Sequence, residues 1–441
     1  MFYILNLNPI GLMKFWFFNK KLLVFFFRVL MHGLVLGNII CLTSRFIQYF
    51  CIFNMEHKKK HILFLPRWYP NKYDSMWGLF VKKHAQAASL YHQISVLYLE
   101  ASDGDKIQIE EKQEGNIYTL YIYYPKPRNV FLYFLEFLKW YFYGYKRINT
   151  ENRVDMLHVH ILSRMGLLAL LTKLFYRKPY VVTEHWSRYL PSVATFSGKT
   201  RIALTRFVVK YASCVMPVTA NLASAMKLYG LNNKNYKVLA NVVDSSFFRS
   251  SRKGSGSEKT RIIHVSTFED KSKNISGILK MLAQLQANRR DFVMVFIGHG
   301  IDFDRLKALA TSLNIAKENL EFTGVLENAA LIVEYQKADF MLMNSNYENM
   351  PVVINEAFAC GMPVLSTDVG GISEHLNKER GRLIAINKPK DLLTEFDWML
   401  DNHHLFDTKK IRKYAQEHFS YEKIGAELSQ VYLKSMNDFA K

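Results

Sequence analysis

Residues 346–368, NYENMPVVINEAFACGMPVLSTD, decide how this 441-residue chain folds. An apolar run that reads as a buried strand ends just before this stretch, and Pro351 can occupy the first turn of a helix that runs to about Cys360. Glu348 then lies in the loop at the carboxyl end of the strand, and Glu356 lies on the helix. Both carboxylates are expected at the sheet edge where open α/β folds bind ligands.

The same alternation of short apolar runs and helical segments extends outward from this stretch in both directions, which is typical of parallel sheets with crossover helices. It is interrupted between residues 250 and 260, where Ser, Gly and Lys replace the periodic pattern, as in a linker. The sequence therefore predicts an α/β fold with two Rossmann-like domains that face a cleft. Their bounds are 55–249 and 261–420, and a final helix over 421–441 is expected to return to the N-terminal domain.

Residues 1–54 form a hydrophobic, basic extension that contains no Asp or Glu. Three interpretations stay open: translation that begins at Met55, a membrane-associated anchor, and a signal peptide. Arg28 and Arg45 interrupt the apolar run and disfavour a transmembrane helix, because a charge at mid-membrane costs a few kcal/mol.

The net charge of +20 is compatible with nucleic acid, an anionic membrane surface or phosphorylated substrates. The Lys and Arg residues are dispersed and form no nucleic-acid-binding signature, so we expect no nucleic acid partner. The four cysteines form no CxxC pair and have no zinc-like spacing with histidine. A reducing, cytoplasmic setting is the expectation.

Two glutamates at this spacing are by themselves a weak signal, because one could be an exposed loop acid and the other a surface helix residue. The longer stretch NSNYENMPVVINEAFACGMPVLSTDVGGISEHL, however, resembles the signature of family four glycosyltransferases. It holds their E-x7-E motif, an A-x-x-x-G-x-P-V segment and a Gly-Gly turn. The resemblance covers essentially all of residues 55–441, and it implies the GT-B fold and transfer with retention of anomeric configuration.

Other segments resemble the same family in the same order. They are GLFVKKH, which begins with Gly78 on the acceptor side; VVTEHW, which contains His185; VLANVVD at 238–244; and FIGHG and LEFTGVL, which contain Gly298, Gly300 and Gly324.

The resemblance implies roles for the residues of the cleft. Glu356 would accept hydrogen bonds from the ribose of a nucleotide sugar, and Glu348 would contact the hydroxyls of the donor sugar. Lys273 would bind the diphosphate. The backbone around Asn349, Met350, Pro351 and Val352 would approach the sugar or the diphosphate. The predicted catalytic residues are Glu348, His185 and Lys273.

One position departs from the family pattern, because Thr267 stands where an arginine that grips the diphosphate is expected. Lys271 could supply the second positive charge, or Thr267 could donate a neutral hydrogen bond to the phosphate. We predict no metal and no cofactor. The two Asp-x-Asp pairs, Asp103 with Asp105 and Asp302 with Asp304, are interpreted as structural, the second as the acid that caps a helix N-terminus.

His185 closes an apolar strand, so it could be a core histidine, but its position at the strand end favours a role in the cleft. His158 and His160 alternate along another strand, and we expect only one of them to face the cleft. The aromatic segment 130–147 is either a buried core helix or an interfacial helix on an anionic bilayer.

The sequence thus predicts a glycosyltransferase on the cytoplasmic face of the inner membrane, in a peripheral association, that functions in bacterial surface polysaccharide synthesis. Its donor would be a nucleotide sugar, UDP- or GDP-linked, and its acceptor a glycan or a lipid-linked glycan. Two alternatives stay open: a catalytically silent basic module that binds nucleotide sugars or lipids, and a nucleotide-sugar epimerase on the same fold.

Overall fold

The computed structural model describes residues 59–249, here the first half, and 258–441, the second half. The predicted extension 1–54 and most of the predicted linker 250–260 lie outside the described residues. Within the described ranges, no helix combines the length and the apolar character needed to cross a membrane.

The first half contains a seven-stranded sheet with the strand order β3-β4-β2-β1-β5-β6-β7. Neighbouring strands are parallel except β3 and β4, which form an antiparallel hairpin. The central strands are buried along their whole length, as parallel strands covered on both faces must be. The strands are β1 (His61–Pro66), β2 (Gln93–Ser102), β3 (Gln108–Glu114), β4 (Ile117–Pro125), β5 (Met156–His160), β6 (Tyr180–Glu184) and β7 (Cys214–Pro217).

Six helices belong to the first half. They are α1 (Leu79–Ser89), α2 (Val130–Glu151), α3 (Arg164–Tyr176), α4 (Lys199–Tyr211), α5 (Ala220–Leu228) and α6 (Ser245–Arg249). Helix α2 extends the aromatic segment predicted at 130–147, and Asn129 caps its N-terminus by accepting hydrogen bonds from the backbone of the first turn.

The second half contains a six-stranded, fully parallel sheet with the strand order β10-β9-β8-β11-β12-β13. Its strands are β8 (Thr260–Val265), β9 (Phe292–Ile297), β10 (Leu320–Gly324), β11 (Phe340–Met343), β12 (Val364–Thr367) and β13 (Gly381–Ile384). The edge strand β13 was not predicted from the sequence, since it has four residues of which only two are buried.

Eight helices follow the strands of the second half. They are α7 (Asp270–Lys273), α8 (Ile275–Leu285), α9 (Phe303–Ser312), α10 (Asn328–Lys337), α11 (Val352–Ala359), α12 (Pro389–Asn402), α13 (Thr408–Phe419) and α14 (Tyr421–Ala440). Helix α11 begins one residue later than expected, because Pro351 has extended backbone angles and occupies the N-cap position.

Helix α14 packs on the sheet of the first half, beside α1. Leu428 and Tyr432 of α14 are buried together with Ile62 and Ala88. Gly425 permits this close approach, because a Cβ atom there would lie 2.3 Å from the carbonyl oxygen of Ala87. The C-terminal helix therefore belongs to the core that supports β1, whose carboxyl end lies at the site described next.

Candidate active site

A cavity of about 290 Å³, here the central cavity, lies between the two halves. Its lining comes from loops at the carboxyl ends of β1 and β6 on one side and of β8 and β11 on the other. The predicted site residues Glu348, His185, Lys273, Thr267, Asn349, Met350 and Val352 all line it. Three aromatic residues, Trp68, Phe80 and Tyr347, also line it.

Lys273 and Glu348 form a direct ion pair in the central cavity. Glu348 also accepts a hydrogen bond from the hydroxyl of Ser345 at 2.9 Å. The side chains of Lys273 and Glu348 are only 15% and 11% exposed, so the pair is only weakly screened by solvent. A diphosphate and a sugar hydroxyl would have to replace these contacts if the two residues bind the donor.

The double glycine of the motif fixes the loop that carries Glu348. Gly370 has a φ of +62°, and a Cβ atom there would lie 1.9 Å from the carbonyl oxygen of Glu348. The neighbouring Gly371 donates its backbone N–H to the carbonyl oxygen of Asn349 at 2.7 Å. The turn after β12 therefore packs directly against the loop after β11, and a side chain at position 370 would displace that loop.

Glu356 lies on α11 and does not line the central cavity. Its carboxylate accepts hydrogen bonds from the Nζ of Lys83 at 3.3 Å and from the hydroxyl of Tyr335 at 3.2 Å. Burial and the carboxylate of Glu356 raise the pKa of Tyr335 well above its usual range. Lys83 belongs to α1 in the first half, so its ion pair with Glu356 joins the two halves. Glu356 is also the residue expected to contact the ribose.

The start of α11 lies at the cavity, with Met350 and Val352 in the lining. Since the first N–H groups of a helix have no partner within it, they and the helix dipole favour an anion at this end. The side-chain amide of Asn349 donates to the backbone carbonyl of His185 at 2.5 Å. This bond is a second link between the halves at the edge of the cavity.

His185 belongs to a cluster of buried imidazoles. The Nε2 atom of His185 lies 3.4 Å from Nδ1 of His160, and the ring of His84 lies 5.3 Å from that of His185. Burial, with the neighbouring His84 and His158, holds the pKa of His185 well below its usual range. At neutral pH the ring is therefore uncharged and can exchange hydrogen bonds with a sugar hydroxyl.

The expectation that His158 and His160 lie on opposite faces of β5 was wrong. Side chains two residues apart on a strand share a face, and the two rings are 4.0 Å apart. His160 contacts His185, whereas His158 lies deeper, where its ring nitrogens pair with the hydroxyls of Tyr432 and Thr183. His158 is thus a core histidine, and His160 supports the cavity.

The remaining predicted positions fall into two groups. Lys271 is exposed and does not line the cavity, because it lies on another side of the short helix α7 from Lys273. Gly298 and Gly300 allow β9 and its loop to approach the backbone of Ser266 and Phe268. Gly78, with a φ of +67°, lets α1 begin against the backbone of Trp68. These glycines shape the walls of the cleft.

Among the described residues, His84, His160 and His185 are the group whose donor atoms could hold a metal, and these atoms lie within 4.8 Å of one another. Both ring nitrogens of His84, however, already face carbonyl oxygens, those of Phe80 at 2.9 Å and Ala240 at 3.2 Å.

Asp302 occupies the N-cap position of α9, but its carboxylate accepts hydrogen bonds from the backbone of Asp270 and from Arg305 instead of capping α9.

Two family models match the chain: Glycosyltransferase Family 4 over residues 84–247 and Glycosyl transferases group 1 over residues 247–418. N-acetyl-alpha-D-glucosaminyl L-malate synthase of Bacillus anthracis is 25% identical over 303 residues, which are 66% of this chain and 77% of that protein. Protein CapJ of Staphylococcus aureus is 27% identical, over 65% of this chain and 74% of CapJ. The putative teichuronic acid biosynthesis glycosyltransferase TuaC of Bacillus subtilis is 25% identical, over 54% and 58%.

Solved structures share the fold over most of the chain. Sucrose-phosphate synthase from Thermosynechococcus elongatus aligns with a TM-score of 0.70 and 16% identity, over 86% of this chain and 100% of that one. Anabaena HepE in complex with UDP and glucose aligns with a TM-score of 0.63 and 16% identity, over 84% of this chain and 99% of HepE.

Proposed function

We propose, since this chain is a family four glycosyltransferase with the GT-B fold, that it transfers a sugar from a nucleotide donor to a glycan or lipid-linked acceptor, with retention and without a metal. The observation that carries this proposal is the Lys273–Glu348 pair, which faces the uncharged His185 across the central cavity. A cation for the diphosphate, an acceptor for sugar hydroxyls and a neutral imidazole thus surround one space.

UDP is the favoured donor nucleotide, ahead of GDP. The HepE structures with which this fold aligns contain UDP, UDP-glucose, or UDP and glucose. In this chain Glu356 is the residue suited to the ribose, because a carboxylate only accepts hydrogen bonds and a diol can donate two. Its present partners, Lys83 and Tyr335, would yield to the ribose as the halves separate to admit the donor.

In the reaction, the bond between the anomeric carbon of the sugar and the diphosphate oxygen breaks, and a bond to an acceptor hydroxyl oxygen forms. Negative charge develops on the departing diphosphate, and Lys273 and the N-terminus of α11 would stabilise it. Retention requires the acceptor oxygen to approach from the face that the diphosphate leaves. The proton of the acceptor hydroxyl can then pass to the departing phosphate oxygen.

Surface polysaccharide synthesis at the cytoplasmic face of the inner membrane is the proposed setting. CapJ, TuaC and a protein of the cps region of Klebsiella pneumoniae are among the relatives. Val130 and Phe131 at the start of α2 are 85% and 67% exposed. Such apolar side chains beside basic residues favour a peripheral contact with an anionic bilayer.

Nucleotide binding and turnover by the full-length chain test the proposal. Thermal unfolding is measured with UDP, GDP, ADP and CMP, and UDP should raise the midpoint temperature of unfolding. A ligand at a hundredfold excess over Kd adds roughly 2.7 kcal/mol to stability. UDP release from UDP-sugars in the presence of glycan acceptors should accompany it. Binding without release would favour the silent module, and epimerised donor without net release would favour the epimerase. If no nucleotide binds, the proposed function is wrong.

A further inference from the structure

A second cavity of about 570 Å³, here the arginine cavity, opens in the first half beside the cleft. Four of its eleven lining residues are arginines, and none is acidic: Arg67, Arg164, Arg188 and Arg201. They come from the end of β1, the start of α3, the loop after β6 and α4. A cavity with four positive charges and no carboxylate in its lining is suited to an anion of more than one charge.

The arginines are crowded together. The guanidinium carbons of Arg67 and Arg188 lie 5.0 Å and 4.2 Å from the ring centre of the same indole, Trp186. Burial and the neighbouring charges of Arg164 and Arg188 lower the pKa of Arg67. A bound anion would relieve this mutual repulsion.

Arg188 is the most buried of the four, at 7% exposed. It donates from Nη2 to the carbonyl of Leu162 and to the hydroxyl of Tyr189. Its Nε is buried and has no hydrogen-bond partner among the described residues. Since a buried charged donor without a partner is costly, the guanidinium of Arg188 is incompletely satisfied in this structure.

The rest of the lining is mainly apolar and includes Leu162, Leu167, Leu204 and Val208. Arg164 also donates to the hydroxyl of Tyr133 at 2.8 Å, and its guanidinium packs over that ring. Tyr133 belongs to the first turn of α2, the same turn that exposes Phe131. The cavity therefore joins a cationic interior to an apolar wall and an exposed apolar turn, an arrangement that suits a phosphate attached to a hydrocarbon chain.

The arginine cavity is separated from the central cavity by two indoles in edge-to-face contact. Trp68 lines the central cavity, Trp186 lines the arginine cavity, and their ring centres are 5.2 Å apart. The loop after β6 alternates between the two spaces: His185 and Ser187 line the first, and Trp186 and Arg188 the second. A sugar attached to a phosphate in the arginine cavity could thus reach the reaction centre past one aromatic wall.

We propose that the arginine cavity binds the phosphate or diphosphate of a lipid-linked acceptor, with its lipid chain along the apolar wall towards α2 and its glycan directed into the central cavity. This inference rests on the proposed function, because it names the acceptor of that reaction. According to this inference, the arginine cavity selects the acceptor, and a general attraction to the basic surface of the protein does not.

The test measures binding of farnesyl diphosphate, inorganic diphosphate and farnesol to the full-length protein, with UDP present in excess to fill the donor site. Farnesyl diphosphate should bind tightest, and farnesol should bind poorly. In a double variant Arg164→Gln and Arg201→Gln, affinity for farnesyl diphosphate should fall by about tenfold or more, since charge-assisted hydrogen bonds are lost. Arg290→Gln, which removes an exposed arginine of the second half, should not alter it.

Three outcomes would overturn the inference. Unchanged farnesyl diphosphate binding in the double variant would place the ligand elsewhere. Inorganic diphosphate that binds as tightly as farnesyl diphosphate would remove the lipid from the proposal. Farnesol that binds as tightly as farnesyl diphosphate would remove the phosphate.

UDP binding and UDP-sugar hydrolysis are measured on the same samples. If they persist while the arginine variants have no effect, the cavity inference alone fails. If they are absent in the unmodified protein, the proposed function fails. Arg188 is left intact because its hydrogen bonds hold the loop after β6.

Discussion

The side of the cleft formed by the loops after β8 and β11 is here the donor face, and the side formed by the loops after β1 and β6, with the arginine cavity, is here the acceptor face. On the donor face Lys273 is neutralised by Glu348. On the acceptor face Arg67 and Arg188 share one indole, and the Nε of Arg188 has no partner among the described residues. The donor face thus holds its charges in a balanced pair, and the acceptor face holds an excess of one sign. A paired face suits a ligand that brings both diol donors and a diphosphate. An unpaired cationic face suits a ligand that is mainly anionic.

The two faces also differ in how their geometry is fixed. The donor loop is held by backbone contacts, such as those of Gly370 and Gly371 with residues 348 and 349. The acceptor face is held by side-chain packing, in which Trp68 makes edge contacts with both Trp186 and Phe80. Backbone contacts leave little freedom to vary, whereas packed side chains can be exchanged. The donor face should therefore be the less tolerant of substitution.

The largest expected effect is the loss of Lys273. Replacement by Gln removes the cation that we propose stabilises the departing diphosphate, and loss of one such group costs about 100- to 1,000-fold in kcat. Nucleotide release from the preferred donor measures this. Lys271→Gln is the matched control, because Lys271 is exposed two residues away, and its activity should stay within about twofold of the unmodified protein. Equal losses in both variants would show that the charge of the segment, and not the position of Lys273, matters.

Substitution of Gly370 comes next and tests how rigid the donor loop is. Gly370→Ala should destabilise the fold by about 3 kcal/mol, because left-handed backbone costs 1–2 kcal/mol and the new Cβ meets the carbonyl oxygen of Glu348. Gly324→Ala is the control, because Gly324 has a φ of +74° but open space around it. It should lose only the 1–2 kcal/mol of the backbone term. Urea unfolding midpoints compare them, and equal losses would mean that the loop can move aside.

The sequence predicted the donor face better than the acceptor face for a physical reason. Glu348 and Val352 lie in one continuous stretch, and Lys273 follows a neighbouring strand, so the meeting of parallel strand ends is enough to bring them together. The positions of Lys271 and Lys273 could not be distinguished in this way, because both belong to the four-residue helix α7, whose orientation decides which of them faces the cavity.

The acceptor face needed tertiary information. Its arginines come from four separate segments, and none of them lies in a motif. Lys83 was likewise missed as a partner of Glu356, because it reaches across from the other half. The expectation for His158 and His160 was wrong for another reason. Side chains two residues apart on a strand lie on the same face, but these two were expected on opposite faces. The strand itself was predicted correctly.

A smaller effect on UDP affinity should distinguish Glu356 from Lys83, the two partners of the ion pair that joins the halves. Glu356→Gln should weaken UDP binding by about 1.5 kcal/mol or more, roughly tenfold, because hydrogen bonds to a charged carboxylate are worth 1.5–3 kcal/mol. Lys83→Met keeps that carboxylate and should change UDP affinity by less than about threefold, although it lowers stability by leaving a buried charge unpaired. Titration calorimetry measures the affinities. A loss of affinity in Lys83→Met as large as that in Glu356→Gln would assign the role to closure of the halves instead of to the ribose contact.

The smallest effect per residue concerns acid sensitivity, which should differ between the halves. The described part of the first half contains five histidines with a lowered pKa, at positions 61, 84, 158, 160 and 185. The second half contains two, His264 and His375, each with a pKa of about 4. Between these values and the unfolded value near 6.5, the unfolded chain binds more protons, so stability falls as pH falls.

A histidine that stays uncharged in the folded protein down to pH 6 should reduce the stability by about 0.7 kcal/mol between pH 7 and pH 6. His158, His160 and His185 meet this condition in the first half, and His264 and His375 meet it in the second. Hydrogen exchange, corrected for intrinsic rates, should therefore show a larger loss of protection in β1 and β5 than in β8 and β9 over this range. His160→Asn should reduce the difference, while His404→Asn, at an exposed position, should leave it unchanged. Equal losses in the two sheets would mean that the imidazole cluster of the first half is not held neutral by burial.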